Sequence, residues 1–168
     1  MTAPEPFGAL LAYQVRCRTT LGVLIQLLAQ SKRRAIIAAP FIQSSKALVD
    51  GIVADAIQSA LLHGVNVDVL STGQGLEVFE QNNFDQNTPG KLKLYQPSAN
   101  LENEQKLGSH AKFCVSDGES AYVGSANLTG PGLLGQLELG LLVHGDIAHQ
   151  IEQFWDYAIE IGLFVLVL

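Results

Sequence analysis

Apolar residues recur along this chain with two periods, and the switching between them predicts a layered α/β fold. Leu21, Leu24, Leu27 and Leu28 keep helical spacing, so a helix is expected over Leu21–Gln30, capped by Thr19 or Thr20. Arg34–Phe41 (RAIIAAPF) is a short, continuous apolar run closed by Pro40, the pattern of a strand buried on both faces. Helical spacing returns at Leu48, Ile52, Val53, Ala56, Ile57, Ala60 and Leu61, with Ser44 or Ser45 as the cap. His63 and Gly64 end that helix, Gly64 taking the left-handed position, and Val65–Leu70 reads as the next strand. A strand, a crossover helix and a second strand imply parallel pairing with a right-handed connection.

Residues 71–90 are rich in Gly, Asn and Gln, with one helical turn expected around Leu76–Gln81. Lys91–Tyr95 alternates as a strand, and residues 96–108 form a polar loop. Ala111–Val115 and Ala121–Val123 read as paired strands joined by a turn at Asp117 and Gly118, and Gln136–Val143 as a further strand. Asp146 is placed to cap a final helix over Ile147–Ile161. Residues 1–18 are a Pro-containing lead-in. Without an internal repeat or a dividing linker, the expectation is one domain over 1–168, a mixed sheet with helices on both faces.

Composition adds a constraint. Hydrophobic residues make up 48% of the chain and charged residues only 15%, so some apolar surface is expected to be covered by another subunit. A net charge of −6 gives no general attraction to nucleic acid or anionic membranes. The charge is unevenly spread: five of the ten basic residues lie between Arg16 and Arg34, and none follows Lys112. Lys32, Arg33 and Arg34 read as a solvated face beside a helix C-terminus, with a phosphate contact as the alternative. Cys17 and Cys114 fit neither a zinc spacing nor a disulfide framework, and Cys114 is expected to be an inert, buried thiol. No apolar run approaches the ~20 residues needed to span a bilayer, and the N-terminus lacks the basic start of a signal peptide. These features predict a soluble, cytoplasmic protein.

The chemistry is concentrated between Ser109 and Asn127, which reads His110-x-Lys112-x4-Asp117-x6-Gly124-Ser125-x-Asn127. His110 and Lys112 are two apart on a predicted strand, so both side chains face one side. Asn127, and with it Ser125, can add donors from the following turn. A nucleophile, an ammonium and amide donors are the parts needed to attack an anionic phosphodiester and to hold its oxygens.

This spacing resembles the HKD signature of the phospholipase D superfamily. The resemblance implies a metal-independent phosphodiesterase in which one histidine attacks phosphorus and another protonates the leaving group. His110, Lys112, Asn127 and Glu138 would then be catalytic. Lys112, Ser125 and Asn127 would hold the phosphate, and Asp117 and Gly124 would be structural. Glu138 stands where related sequences carry a glutamate that hydrogen-bonds the histidine. No metal or other cofactor is implied. The chain carries one His-x-Lys where the mechanism uses two histidines, so a two-fold homodimer joining both motifs is the simplest resolution.

Single-motif chains of this size resemble small bacterial nucleases, which makes nucleic acid the expected substrate. The chain also resembles the phospholipase D-like component of DISARM-type antiphage systems, which implies partner proteins of a defence complex. A lipid phosphodiesterase or transphosphatidylase, and a catalytically silent assembly subunit, are the competing readings. The apolar ending FVLVL, which needs cover, keeps the last one open.

Overall fold

The computed structural model describes residues 1–42, 51–72, 75–77, 79, 84, 87–98 and 109–168. Nine strands form one sheet: β1 (Thr2–Ala3), β2 (Arg18–Thr19), β3 (Arg34–Ala38), β4 (Asn66–Leu70), β5 (Leu92–Pro97), β6 (Phe113–Ser116), β7 (Ser120–Gly124), β8 (Gly140–His144) and β9 (Phe164–Leu166). Their order across the sheet is β2-β1-β8-β7-β6-β3-β4-β5-β9. The expected parallel unit is present: β3 pairs in parallel with β4, and β4 with β5. β6, β7 and β8 form an antiparallel meander that joins this unit where β6 runs against β3.

Among the described residues the fold also has helices α1 (Phe7–Leu11), α2 (Thr20–Gln30), α3 (Ile52–Leu62), α4 (Gly130–Leu134) and α5 (Asp146–Glu160). Alternation along the central strands sends Ile37, Val67, Val69 and Cys114 to one face, where they bury Leu24, Leu27 and Leu28 of α2 and Val53, Ile57 and Leu61 of α3. Ile36, Leu70, Phe113 and Val115 go to the other face and pack on Ala148, Trp155 and Ala158 of α5. Helices therefore cover both faces of a mixed sheet, as expected. Trp155 is fully buried between Tyr95, Phe113 and Phe164, whose rings lie 5.2, 6.3 and 5.5 Å from it.

α2 begins where its cap residue predicts: the Thr19 side chain accepts from the Gly22 amide. α3 ends with Gly64 at φ +85°, the left-handed position read from the sequence. Its start is corrected: α3 begins at Ile52 after an extended Gly51 in the cap position, so neither Ser44 nor Ser45 caps it. Ser44, Ser45 and Leu48 themselves lie outside the described residues, as do most of the 96–108 loop and part of the turn at Leu76–Gln81; Gly75–Glu77 and Phe79 are helical.

Several expectations are corrected. The lead-in is built into the sheet: β1 pairs in parallel with β2 and antiparallel with β8, and α1 lies between β1 and β2. β6 starts at Phe113, not Ala111, because β3 offers no partner beyond Ala38. β8 starts at Gly140, not Gln136, because β7 ends at Gly124 and the chain then turns away. The alternation in QLEL consequently has no strand to pair with, and Leu137 and Leu139 are exposed. Asp146 is the first helical residue of α5 and not its cap, which is Gly145. There it faces the helix dipole favourably. Two short elements escaped the sequence pattern, α4 and β9; the apolar ending supplies β9, which pairs with β5.

Candidate active site

The site lies at the carboxyl ends of β3, β4 and β5, which is also the entrance to β6. His110 and Lys112 precede β6 rather than belong to it, yet they still meet. Lys112 Nζ is 3.2 Å from His110 Nδ1 and 3.3 Å from Nε2, and donates to the His110 carbonyl at 3.1 Å. His110 is exposed and Lys112 is buried. The Gly124 amide donates to the Lys112 carbonyl at 3.1 Å, which ties this segment to β7. Burial lowers the pKa of the Lys112 ammonium, and the negative charge of Glu138 works against that.

Ser125 donates its hydroxyl to the Glu138 carboxylate, and its Oγ accepts from the Leu139 amide at 3.1 Å. Glu138 is thus fixed by Ser125 and felt by Lys112, and among the described residues no hydrogen bond joins it to His110. Asn127 is half-buried, with its Oδ1 buried and lacking a hydrogen-bond partner among the described residues. Its backbone is pressed against α4: a Cβ at Gly132 would stand 2.6 Å from the Asn127 carbonyl oxygen. Thr129, two residues on, caps α4 by accepting from the Gly132 amide at 3.1 Å. A five-residue link, Ser125 to Thr129, from β7 into this short capped helix is what positions Asn127.

Two motif residues have visible structural work. Asp117 sits in the left-handed region at φ 54°, and its carboxylate accepts from three consecutive backbone amides, Lys32 at 2.7 Å, Arg33 at 2.9 Å and Arg34 at 2.8 Å. It clamps the β6–β7 turn to the entry of β3, at the end of the sheet away from His110. Gly124 is crossed by the Tyr122 ring, and a Cβ there would stand 2.2 Å from the phenolic oxygen.

The basic cluster is mostly consumed inside the protein. Arg34 donates to Asp68 through Nη2 at 2.6 Å and to Asp156 through Nη1 at 2.7 Å, and Trp155 Nε1 donates to the same Asp68 oxygen at 3.3 Å. Arg33 pairs with Glu152 at 3.4 Å. The other three histidines lie elsewhere: His63 ends α3, His144 bonds Ser120 at the far end of the β7–β8 ladder, and His149 is exposed on α5. Among the described residues no three His, Cys, Asp or Glu side chains are grouped to hold a metal ion.

A family profile described as "Cardiolipin synthase, PLD-like domain" matches residues 24–158. The chain belongs to the phospholipase D superfamily. Among relatives of this phospholipase D-like domain is the DISARM protein DrmC of Bacillus paralicheniformis, 29% identical over 134 residues. That match covers 79% of this chain and 52% of the relative, so the chain spans about half of that relative's length. The fold is shared with Nuc from Salmonella typhimurium, a phospholipase D family member (TM-score 0.66, 15% identity, 96% of this chain and 93% of that one). It is also shared with NucT from Helicobacter pylori (TM-score 0.62, 16% identity, 83% and 87%). Phosphatidylserine synthase of Haemophilus influenzae has the fold in part of its length (TM-score 0.64, 16% identity, 86% and 36%).

One feature of the site was not foreseen. Val123 and Leu141 are cross-strand partners on β7 and β8, 42% and 53% exposed, and Leu139 beside them is 58% exposed. They form an uncovered apolar patch next to the motif. Alternation along QLELGLL signals apolar positions, but exposure depends on where α5 stops covering the sheet, and that is a tertiary fact.

Proposed function

We propose that this chain is a metal-independent phosphodiesterase acting on nucleic acid through a phosphohistidine, with an active site completed by a second copy. The observation that carries the reading is an exposed His110 whose ring touches the partly desolvated Lys112 ammonium. His110 is the nucleophile, forming a bond to phosphorus as the leaving oxygen departs. Lys112 and Asn127 hold the non-bridging oxygens. Glu138, fixed by Ser125, keeps Lys112 charged. The second copy's His110 protonates the leaving oxygen and then takes a proton from the water that releases the phosphate.

The Val123, Leu139 and Leu141 patch supports a two-fold contact, because it lies beside the motif and burial there would bring two motifs together. Likeness to a DISARM protein favours a role in antiphage defence, alongside partner proteins. The same patch also suits a lipid substrate, which is the second reading.

The test is incubation with single- and double-stranded oligonucleotides, a chromogenic diester and phospholipid vesicles, all in excess EDTA, with His110→Ala alongside. Cleavage of oligonucleotides by the unmodified protein alone is expected. Turnover confined to vesicles would replace the nuclease reading with the lipid one, and no turnover by a folded dimer would leave an assembly role.

A further inference from the structure

A single transverse row of residues crosses the sheet at the end that carries the motif. Phe113 pairs with Val123, so Lys112 lies opposite Gly124, and the Gly124 amide donates to the Lys112 carbonyl. Gly124 pairs with Gly140, Gly140 with Thr2, and Thr2 with Arg18. Residues directly opposite one another point to the same face. Arg18 therefore shares a face and an end of the sheet with Lys112, separated from it by two glycines and the small, buried Thr2. Four inter-strand steps place the two residues roughly 19 Å apart.

The segment leading into Arg18 is unusual for this protein. Tyr13 is 95% exposed, and Val15 and Arg16 are also exposed, while Cys17 directly after them is buried and anchors the segment. Among the described residues neither Arg16 nor Arg18 has a carboxylate partner; Arg18 donates only to the neutral Gln26 side chain. Arg33 and Arg34 are neutralised by Glu152, Asp68 and Asp156, and with Lys32 they sit at the opposite end of the sheet. In an acidic protein, an uncompensated Arg18 at the motif's own end, preceded along the chain by the uncompensated Arg16 and the bare Tyr13 ring, calls for an anionic ligand with flat groups.

We propose that Tyr13, Arg16 and Arg18 form a binding strip for single-stranded nucleic acid, holding the strand a few nucleotides from the bond cut at His110. The inference rests on the nucleic-acid reading of the site. Arg16 and Arg18 take backbone phosphates, and an unpaired base stacks on Tyr13. A duplex offers no free base face to that ring, so the strip selects single strands.

The test is fluorescence anisotropy with a labelled single-stranded oligonucleotide, over a salt series, using His110→Ala protein so that no turnover interferes. Adding Arg16→Ala and Arg18→Ala should weaken binding about tenfold at low salt and make the slope of log K against log salt shallower by about 1.4, the share of two phosphate contacts. Tyr13→Ala should weaken binding about tenfold with the slope unchanged. The Arg16→Lys, Arg18→Lys pair should retain the salt slope, which separates lost charge from lost folding. If the oligonucleotide binds and all variants match the parent in affinity and slope, the strip is wrong while the nuclease reading stands. If the unmodified protein neither binds nor cleaves any oligonucleotide, the nuclease reading fails and the strip with it.

Discussion

On Lys112 burial and charge act in opposite senses, and this makes it testable by pH. Burial lowers its pKa from the usual lysine value of about 10.4. An ammonium holds phosphate only while protonated, so activity should fall as pH rises through that lowered value. The alkaline limb of kcat/KM should therefore lie below the range of an ordinary lysine. Glu138 favours the charged form. Glu138→Gln removes that help, lowers the Lys112 pKa further and should move the limb to lower pH, whatever it does to the plateau. A limb that does not move would remove Glu138 from this role. Cys114 gives a simpler test on the same scale. Its thiol is fully buried and pushed up to about 12. It should ignore a thiol reagent in the native protein and react only after unfolding.

On the scale of elements, the motif's aspartate belongs to the turn. The Asp117 carboxylate gathers the amides of Lys32, Arg33 and Arg34, joining the α2–β3 link to the β6–β7 turn. Asp117→Ala strips all three of their acceptor and should cost about 2–3 kcal/mol in a denaturant titration. Asp117→Asn keeps one acceptor and tolerates the positive φ, so it should cost less. Equal losses would show that the backbone turn, not the carboxylate clamp, is what matters. The architectural role was legible because Asp-Gly between two apolar runs is a turn signal. The three amides it binds lie more than eighty residues upstream, and no local pattern signals such a partner. The same limit explains the misplaced ends of β6 and β8. Alternation shows which residues could pair, while the ends of β3 and β7 decide which do. By contrast α2, β3 and β4 were legible to within a few residues at their ends, and α3 at its Gly64 end though not at its start, since each buries one periodic stripe against the sheet or is buried on both faces.

At the scale of the whole molecule the count of histidines dominates. His110 is the histidine at the site, and His63, His144 and His149 are held by other parts of the fold. A mechanism with one histidine as nucleophile and another as acid then needs two chains. The exposed Val123, Leu139 and Leu141 beside the motif give a surface on which two copies can meet. If each working site draws His110 from both copies, a mixed dimer of unmodified and His110→Ala chains is dead. After subunits are exchanged at fixed total protein, activity should follow the square of the unmodified fraction, so an equal mixture retains about a quarter of full activity rather than a half. A linear response would mean that one chain completes its own site or that a different protein supplies the acid. Leu141→Arg places a charge in the patch without touching His110 or Lys112. It should yield monomers by light scattering and remove activity together with the dimer. Activity surviving in a monomer would return the search for the second proton donor to the residues of one chain.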